Sequence, residues 1–430
     1  MVAILLTMKS RGLNKMKTID LVVIGSGAAG MAAAIEAKKN GIDDILILEK
    51  DNCLGGILNQ CIHNGFGLTE FKEELTGPEY LSRFVEQVKQ LNIPYKLNAQ
   101  VIDLSKDKIV TYSSKEDGLV SLKAKAIIMA TGCYERTAGA IMLPGDRCSG
   151  IITAGTAQRY LNINGMMVGK RVVILGSGDI GLIMARRLTL EGAKVLCVSE
   201  IMPYSNGLNR NIQQCLVDFD IPLYLSRTVS KVVGKNRLEK VVLSAVDKNL
   251  QIIPGTEMEF ECDTLILSVG LIPYISLLNY IDCPISSTKG AVVNQYMETM
   301  IGGIFTCGNC LHVHDVVDFV SEEARLAGRS AALYLKNMIK NNGKIALKPG
   351  NGLSYVLPQF ILEDSLEDII IKFRVRQPVT DQVVVVKSGD TVLMKVIKPV
   401  LIPSEMVMIK LNKEKLVDAK EEIVVSLEAR

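Results

Sequence analysis

The stretch that most constrains this chain runs from Asp20 to Glu49, DLVVIGSGAAGMAAAIEAKKNGIDDILILE. Leu21 to Ile24 is a short apolar run of the kind a buried parallel strand shows. It ends in Gly25-Ser26-Gly27-Ala28-Ala29-Gly30, a G-x-G-x-x-G that opens a helix rich in alanine (Ala32, Ala33, Ala34, Ala37). A second apolar run, Ile45 to Leu48, ends on Glu49, with Lys50 after it. Gly25 permits the tight turn, Gly27 lets the backbone approach a pyrophosphate, and Gly30 lets helix and strand pack closely. A diphosphate fits the helix N-terminus, where free N–H groups and the dipole favour negative charge. Glu49 can accept hydrogen bonds from an adenosine ribose. A plain βαβ unit with a tight turn is the bland alternative. Strand, helix, second strand and terminal carboxylate together favour dinucleotide binding.

The pattern then returns. Arg171 to Leu175 leads into Gly176-Ser177-Gly178-Asp179-Ile180-Gly181, a helix runs towards Glu191, and Val195 to Val198 ends at Ser199-Glu200. Both copies carry a glycine eleven residues past the third motif glycine (Gly41, Gly192) and an acid eight further on (Glu49, Glu200). This is an internal repeat of a nucleotide-binding unit. It implies two nucleotides, or one nucleotide and a decayed second site.

The 430 residues suggest roughly three domains. Lys+Arg 49 against Asp+Glu 46 gives no basic excess, so charge offers no support for a nucleic-acid partner. Ten cysteines spread from Cys53 to Cys310 show no disulfide-framework pattern, which fits a reducing cytoplasm. The apolar run at the N-terminus is too short for a secretory signal, and Met8 and Met16 are alternative starts. The charge-free stretch from Thr264 to Ile281 is interrupted by Pro273 and Asn279 and reads as a buried strand running into a glycine–proline turn, with no transmembrane segment. Tyr80 to Leu91 has helical periodicity, and Val316 to Leu335 looks helical. Leu143-Pro144-Gly145-Asp146 is a turn and a plausible hinge. Val356 to Leu411 is β-branched and strand-like, with prolines between runs.

With these landmarks in order the chain resembles the two-dinucleotide flavoproteins of the pyridine nucleotide-disulfide oxidoreductase superfamily, over about residues 17–340. The resemblance rests on Gly25 to Gly30 with Glu49; Gly55-Gly56; Ala130-Thr131-Gly132; Gly176 to Gly181; and Thr299 through Gly303 to Asn309. Residues 53–67 and 307–315 carry a closer likeness to FAD-dependent oxidoreductases that accompany anaerobic glycerol-3-phosphate dehydrogenase. They carry a more distant one to the flavoprotein subunits of opine oxidases and hydrogen cyanide synthase.

The resemblance implies an α/β fold of two Rossmann-like units with parallel sheets, and the change of composition after residue 343 adds a separate, small β-rich C-terminal domain. Residues 17–146 and 271–344 would hold FAD, 147–270 NAD(P)H, and 345–430 would stand apart. FAD contacts would come from Gly25, Gly27, Ala28, Ala29, Gly30, Glu49, Lys50, Gly55, Gly56, Ala130, Thr131, Gly132, Gly308 and Asn309. Asn309 departs from the family's usual Asp. Gly176, Gly178, Asp179, Ile180, Gly181, Glu200 and Gly270 would hold the nicotinamide nucleotide. No cation lies between Glu200 and Arg210, which favours NADH.

The superfamily's redox cysteine pairs are missing, because Leu58 and His63 occupy one pair's positions and Cys133 and Cys148 are too far apart for the other. Cys307 and Cys310 could still act as a thiol pair. Together with His312 and His314 they could also offer metal ligands, but four within eight residues are sterically awkward, so no metal is expected. All three histidines, His63, His312 and His314, fall in the segments that the resemblance places beside the flavin ring. They are therefore the candidate proton-moving groups, with Cys61 a further candidate. The helix from Val316 would aim its N–H groups at the flavin, and Glu322 and Glu323 read as ordinary first-turn acids. The expected activity is hydride passage between NAD(P)H and FAD, with a dehydrogenase subunit or electron-transfer protein as partner. The alternatives are a thiol–disulfide reductase using Cys307 and Cys310, or a catalytically silent FAD-binding assembly subunit. The C-terminal segment has neither Cys nor His, so it is expected to dock a partner and contribute little to a redox centre. Its runs Val383 to Val386 and Val407 to Leu411 could bury one face on the FAD part and leave an edge for a partner, the alternative being a stabilising cap.

Overall fold

The computed structural model describes residues 16–340, 343–363, 367–417, 419 and 422–430. The N-terminal apolar run and Met8 lie outside the described residues. The first unit is built from β1 (Thr18–Ile24), α1 (Ala28–Lys39), β2 (Ile45–Leu48), α2 (Gly77–Gln90), β3 (Tyr95–Lys96), β4 (Ala99–Leu104), β5 (Ile109–Ser114) and β6 (Gly118–Met129). Its sheet runs β3-β2-β1-β6 in parallel and continues through the antiparallel β5 and β4. β1 is buried on both faces at Leu21, Val22 and Val23, which is why it reads as a continuous apolar run. α2 begins three residues earlier than its apolar stripe, because Thr76 and Glu79 form a reciprocal capping box.

β7 (Cys133–Glu135) leads into the second unit. This comprises β8 (Ile151–Thr153), α3 (Ala154–Asn162), β9 (Arg171–Leu175), α4 (Asp179–Leu190), β10 (Lys194–Ser199), α5 (Asn209–Cys215), β11 (Leu223–Tyr224), the meander β12 (Arg227–Gly234), β13 (Leu238–Ala245) and β14 (Met258–Glu261), and β15 (Thr264–Leu267). Its parallel sheet has the order β11-β10-β9-β15-β8. β16 (Leu271–Pro273) returns antiparallel to β7, so the two units are joined by one two-stranded ribbon. The turn expected to be a hinge is fixed instead to the meander. Val232 donates to the Pro144 carbonyl, Asp146 donates to the Val232 carbonyl, and a side chain on Gly145 would strike Val232. The charge-free stretch resolves into β15, β16 and one helical turn, Ser276–Asn279. Among the described residues no helix is long and apolar enough to cross a membrane.

β17 (Ile304–Thr306) rejoins the first sheet beside β6, and α6 (Val317–Leu335) lies across α1. The alanines of α1 have their reason here. A Cβ on Gly328 of α6 would sit 2.2 Å from the Ala33 carbonyl oxygen, so the helices meet backbone to backbone and tolerate only small side chains.

The C-terminal part contains β18 (Lys344–Pro349), β19 (Leu353–Leu357), β20 (Phe360–Leu362), β21 (Ile369–Val375), β22 (Val379–Ser388), β23 (Thr391–Leu401), β24 (Val407–Leu411) and β25 (Ile423–Ala429). They form sheets of order β20-β18-β25-β22-β23 and β19-β21-β24 around a separate core. Val384, Val386, Ile409 and Leu411 belong to that core, so β22 and β24 do not supply the face laid on the first unit. β19, β20 and β21 make that contact. Leu357 enters the first unit's core, and Gln359 donates its N–H to the Val293 carbonyl.

Candidate functional site

Gly25, at φ +100°, ends β1 where a Cβ would lie 2.4 Å from the Ala130 carbonyl, and a Cβ on Gly30 would lie 1.8 Å from the Gly25 carbonyl. Strand, helix and the end of β6 therefore close on each other only through glycine. Gly27 is different: a Cβ there meets nothing within 4 Å. It is the N-cap of α1, no side chain caps the helix, and no acid stands in the first turn. The first intrahelical donor is Met31, so the N–H groups ahead of it border open space at a helix N-terminus. Gly56 covers the other side, its built Cβ 3.5 Å from Gly27 Cα.

The second motif repeats the turn but not the open space, since a Cβ on Gly178 would lie 3.6 Å from Ser268 Oγ and Asp179 stands in the first turn. Gly176, at φ +97°, faces the Ser268 carbonyl at 2.1 Å from its built Cβ, and Gly178 is an N-cap without a side-chain cap. The likeness extends to residues that the repeat alone did not single out. The Ser26 N–H and hydroxyl both donate to Glu49 Oε2, at 2.8 and 2.7 Å, and the Asp51 N–H donates to Oε1 at 2.9 Å. Ser177 and Met202 serve Glu200 identically, at 3.0, 2.6 and 2.9 Å. Three donors leave part of each buried carboxylate's roughly four acceptor positions for a ribose hydroxyl. The serine shared by both G-S-G turns was the legible signal for this brace. Lys50 points outward and pairs with Asp51. The Asp179 carboxylate accepts from the Leu208 N–H and the Asn211 amide, so it orders the segment before α5. Ile180 follows it in the first turn of α4.

Thr131 and Gly132 continue from β6, and the Thr131 hydroxyl donates to the Tyr274 carbonyl at 2.7 Å. Gly270 accepts from the Arg136 N–H, so the ends of both sheets meet at the connecting ribbon. The loop after Gly55-Gly56 forms a 3-10 turn, Gly56–Gln60, and reaches the second unit: the Gln60 amide donates to the Gly155 carbonyl at 2.9 Å and to Gln158 Oε1 at 3.0 Å. Cys61 is buried beside it, and burial pushes its thiol up to about 12. His63 faces the second unit. Burial pushes its imidazole down, with Arg210 and Arg186 adding to that and the Asn64 carbonyl and Asp179 opposing it.

The other two histidines lie elsewhere, so the three do not form one group. The His312 and His314 rings are 4.1 Å apart, and both face Glu323, at 2.9 and 3.5 Å from Oε2. His312 is fully engaged, since its Nδ1 meets the Tyr355 hydroxyl at 3.2 Å. Burial, with His314 adding to it, pushes His312 down to about 4. His314 bonds Asn309 Oδ1 through its backbone N–H at 3.1 Å. Glu323 is no first-turn acid: it is 1% exposed, on the face of α6 that carries Ala327 and Ala331. Its Oε2 also accepts from Lys372 Nζ at 2.7 Å, and its Oε1 from the Gly308 N–H at 2.8 Å. Burial alone would raise this carboxyl; Lys372, His314 and His312 outweigh it and hold it well below the usual range. Asp318 of α6 accepts from the Gly67 and Thr69 N–H groups, tying the two histidine-bearing segments to one helix.

Cys307 and Cys310 are buried, Cys310 against the end of β6 and Cys307 within reach of the Glu323 and Lys372 charges. The Cys310 thiol donates to the Met129 carbonyl at 3.1 Å, and burial raises both thiols. That is the opposite of what a nucleophilic thiolate requires. The cysteines and histidines therefore share no ligand set. Lys372, Tyr355 and Arg374, which bonds Asp315 at 3.0 Å, bring the C-terminal strands onto this region.

The family pattern of the pyridine nucleotide-disulphide oxidoreductases matches residues 19–332. The chain belongs to this family. Among its relatives, the NAD(P)H sulfur oxidoreductase (CoA-dependent) of Pyrococcus abyssi is 26% identical over 310 residues, 69% of this chain and 64% of that protein. One subunit of the opine oxidase of Agrobacterium tumefaciens is 25% identical over 336 residues, 73% of this chain and 64% of that one. The chain thus spans just under two-thirds of the length of these relatives. The structure of T. acidophilum thioredoxin reductase superposes with a TM-score of 0.58 at 24% identity, covering 75% of this chain and 98% of that one, a likeness of fold.

Membership in the pyridine nucleotide-disulphide oxidoreductases implies FAD and NAD(P)H, and the residues fit both. Each motif offers an uncapped helix N-terminus, and Gly27 in particular offers a cradle that a Cβ would fill. Each also carries a braced carboxylate at the end of its second strand.

Proposed function

We propose that the chain is an FAD-dependent NAD(P)H oxidoreductase that favours NADH and passes electrons to a partner protein, as a subunit of a dehydrogenase system of the glycerol-3-phosphate or amino-acid/opine type. The observation that carries the reading is the repetition of the glycine turn and its Ser–Glu brace, with a helix N-terminus in both units that no side chain caps. FAD, when bound, supplies the hydride-accepting chemistry, and the chain's own groups orient and tune it. The first unit would hold the flavin nucleotide through Gly27 and Glu49. The second would hold the nicotinamide nucleotide through Gly178 and Glu200. The 55–67 loop lies between them and carries His63, the one histidine that does not face Glu323. His63 is the candidate for moving a proton at the cleft. His312 is a structural group instead, because both its nitrogens are bonded.

Two features support electron exit to a protein acceptor over a thiol–disulfide exchange. The family's paired cysteines are replaced at Leu58 and His63, and Cys307 and Cys310 are buried. The name of the opine oxidase relative, which is itself a subunit, points the same way. The test is acceptor choice by the holoprotein with NADH. Reduction of a dye acceptor should outpace reduction of a small aromatic disulfide by about a hundredfold, a difference of about 2.7 kcal/mol in barrier. Equal rates with the disulfide would reject the assignment.

A further inference from the structure

We propose that Lys372 is a positioning residue of the flavin site: through Glu323 it fixes the Gly308 peptide against the first turn of α1, which makes the C-terminal β-structure part of the FAD-binding machinery. The proposal rests on the FAD reading above.

The chain of contacts is short. Gly308, at φ +70°, is pressed onto α1, its built Cβ 2.9 Å from Ala29 Cβ and 3.3 Å from Val320. Ala29 is one of the residues whose N–H borders the Gly27 cradle. The Gly308 N–H is held by Glu323 Oε1, and the other oxygen of that carboxylate is held by Lys372 Nζ and His312. Lys372 comes from β21, a strand of the separate C-terminal core, and its side chain is 7% exposed. Two further side chains of those strands grip the same segment. Tyr355 meets His312, while Arg374 donates to the Val313 carbonyl at 3.2 Å and to Asp315. Residues 308–315 are therefore clamped between α6 and the β-structure.

Charge explains why this clamp needs the lysine. A carboxylate at zero exposure is stable only with a countercharge. His312, neutral through burial, supplies a hydrogen bond, and Lys372 at 2.7 Å supplies the nearest positive charge, with His314 farther off at 3.5 Å. The nearest donor atoms of His312, His314 and Glu323 lie within 4.8 Å of one another, as a metal's ligands would. The Lys372 ammonium already sits on Glu323 Oε2, the oxygen that both histidines face. Lys372 thus stands in the cation's place, and its loss would free the carboxylate to reorganise around the Gly308 peptide.

The test uses the full-length protein, with Lys372→Met, Lys372→Arg and a surface control in the same β-structure, Lys387→Met, whose lysine pairs with Glu428 near solvent. FAD dissociation constant and visible flavin spectrum are read well below the melting temperature. Lys372→Met should weaken FAD binding by about tenfold or more and shift the flavin bands. Lys372→Arg should restore most of both, and Lys387→Met should change neither. A purely structural lysine would lower the melting temperature of Lys372→Met and leave affinity and spectrum at wild-type values, and that result overturns the proposal. The wild type provides a second measurement that no folding failure can remove. Binding linkage is reciprocal, so removing FAD should speed amide exchange in residues 369–375 by about tenfold and leave 391–401 unchanged. Equal exchange at 369–375 with and without FAD also overturns it. A wild type that takes up no FAD rejects the flavin reading itself, a distinct outcome.

Discussion

The Ser177 hydroxyl donates to Glu200 at 2.6 Å, and the bond fixes a carboxylate where the ribose of a nucleotide on α4 would lie. The Ser177 N–H braces the same oxygen, so the group cannot swing away to make room for a phosphate. A 2′-phosphate about 4 Å from that carboxylate would be repelled by about 4 kcal/mol at an effective dielectric near 20, and by less where water screens it. NADH should therefore exceed NADPH in kcat/KM by at least about tenfold, and Glu200→Ser should narrow the gap. Stopped-flow reduction with equal or faster rates for NADPH would refute the assignment.

Gly27 and Gly30 make a paired prediction. A side chain at Gly27 meets open space at an ordinary φ of −63°, so Gly27→Val should fold with little change in melting temperature yet purify with under about a tenth of the wild-type flavin. Gly30→Val, which drives a side chain into the Gly25 carbonyl, should destabilise the fold itself. Full flavin retention by Gly27→Val would remove the role assigned to that glycine.

Much of this was legible in the chain. Two G-S-G turns at matching distances from Glu49 and Glu200 specify both nucleotide units, because turn, helix start and terminal acid are local in sequence. The change to β-branched runs after residue 343 marked the C-terminal strands. The clamp on Gly308 was not legible as a contact, since Lys372 and Glu323 meet across two separate cores. Each did leave a trace. Lys372 interrupts the apolar run Ile369-Ile370-Ile371-Lys372-Phe373, and Glu323 shares a helix face with Ala327 and Ala331. The turn at Pro144–Gly145 was recognised by its chemistry, but its packing against Val232, which removes it as a hinge, depends on tertiary contact alone.

Cys307 and Cys310 should be dispensable for electron transfer. With both thiols buried and raised, Cys307→Ala/Cys310→Ala should keep NADH-dependent flavin reduction within about twofold and lose only the modest stability of two trimmed core side chains. Loss of reduction in a folded, flavin-loaded double variant would revive the thiol mechanism.

His312 predicts a pH dependence of stability. Its folded pKa near 4 lies below the unfolded value of about 6.5, so the unfolded state binds more protons between them. Stability should fall as pH drops through that window, by at most about 1.4 kcal/mol per pH unit for this one proton. Glu323 has the opposite origin and adds at the acid end. Its folded pKa is depressed, so its contribution is full above about 4.3 and fades as pH falls towards the folded value. Urea unfolding at pH 7, 6 and 5 should show a smaller loss for His312→Gln than for wild type. Parallel curves would contradict the buried neutral imidazole.

The central claim is that a nicotinamide nucleotide held by the second unit delivers hydride to a flavin held by the first. Anaerobic titration of the FAD-loaded protein with NADH, followed by visible absorbance, tests it directly. Stoichiometric bleaching of the flavin bands is expected, abolished or strongly slowed in Gly178→Val with FAD content unchanged. A flavin that stays oxidised under excess NADH, while dithionite bleaches it, would contradict hydride delivery between the two units and leave a silent FAD-binding subunit in its place.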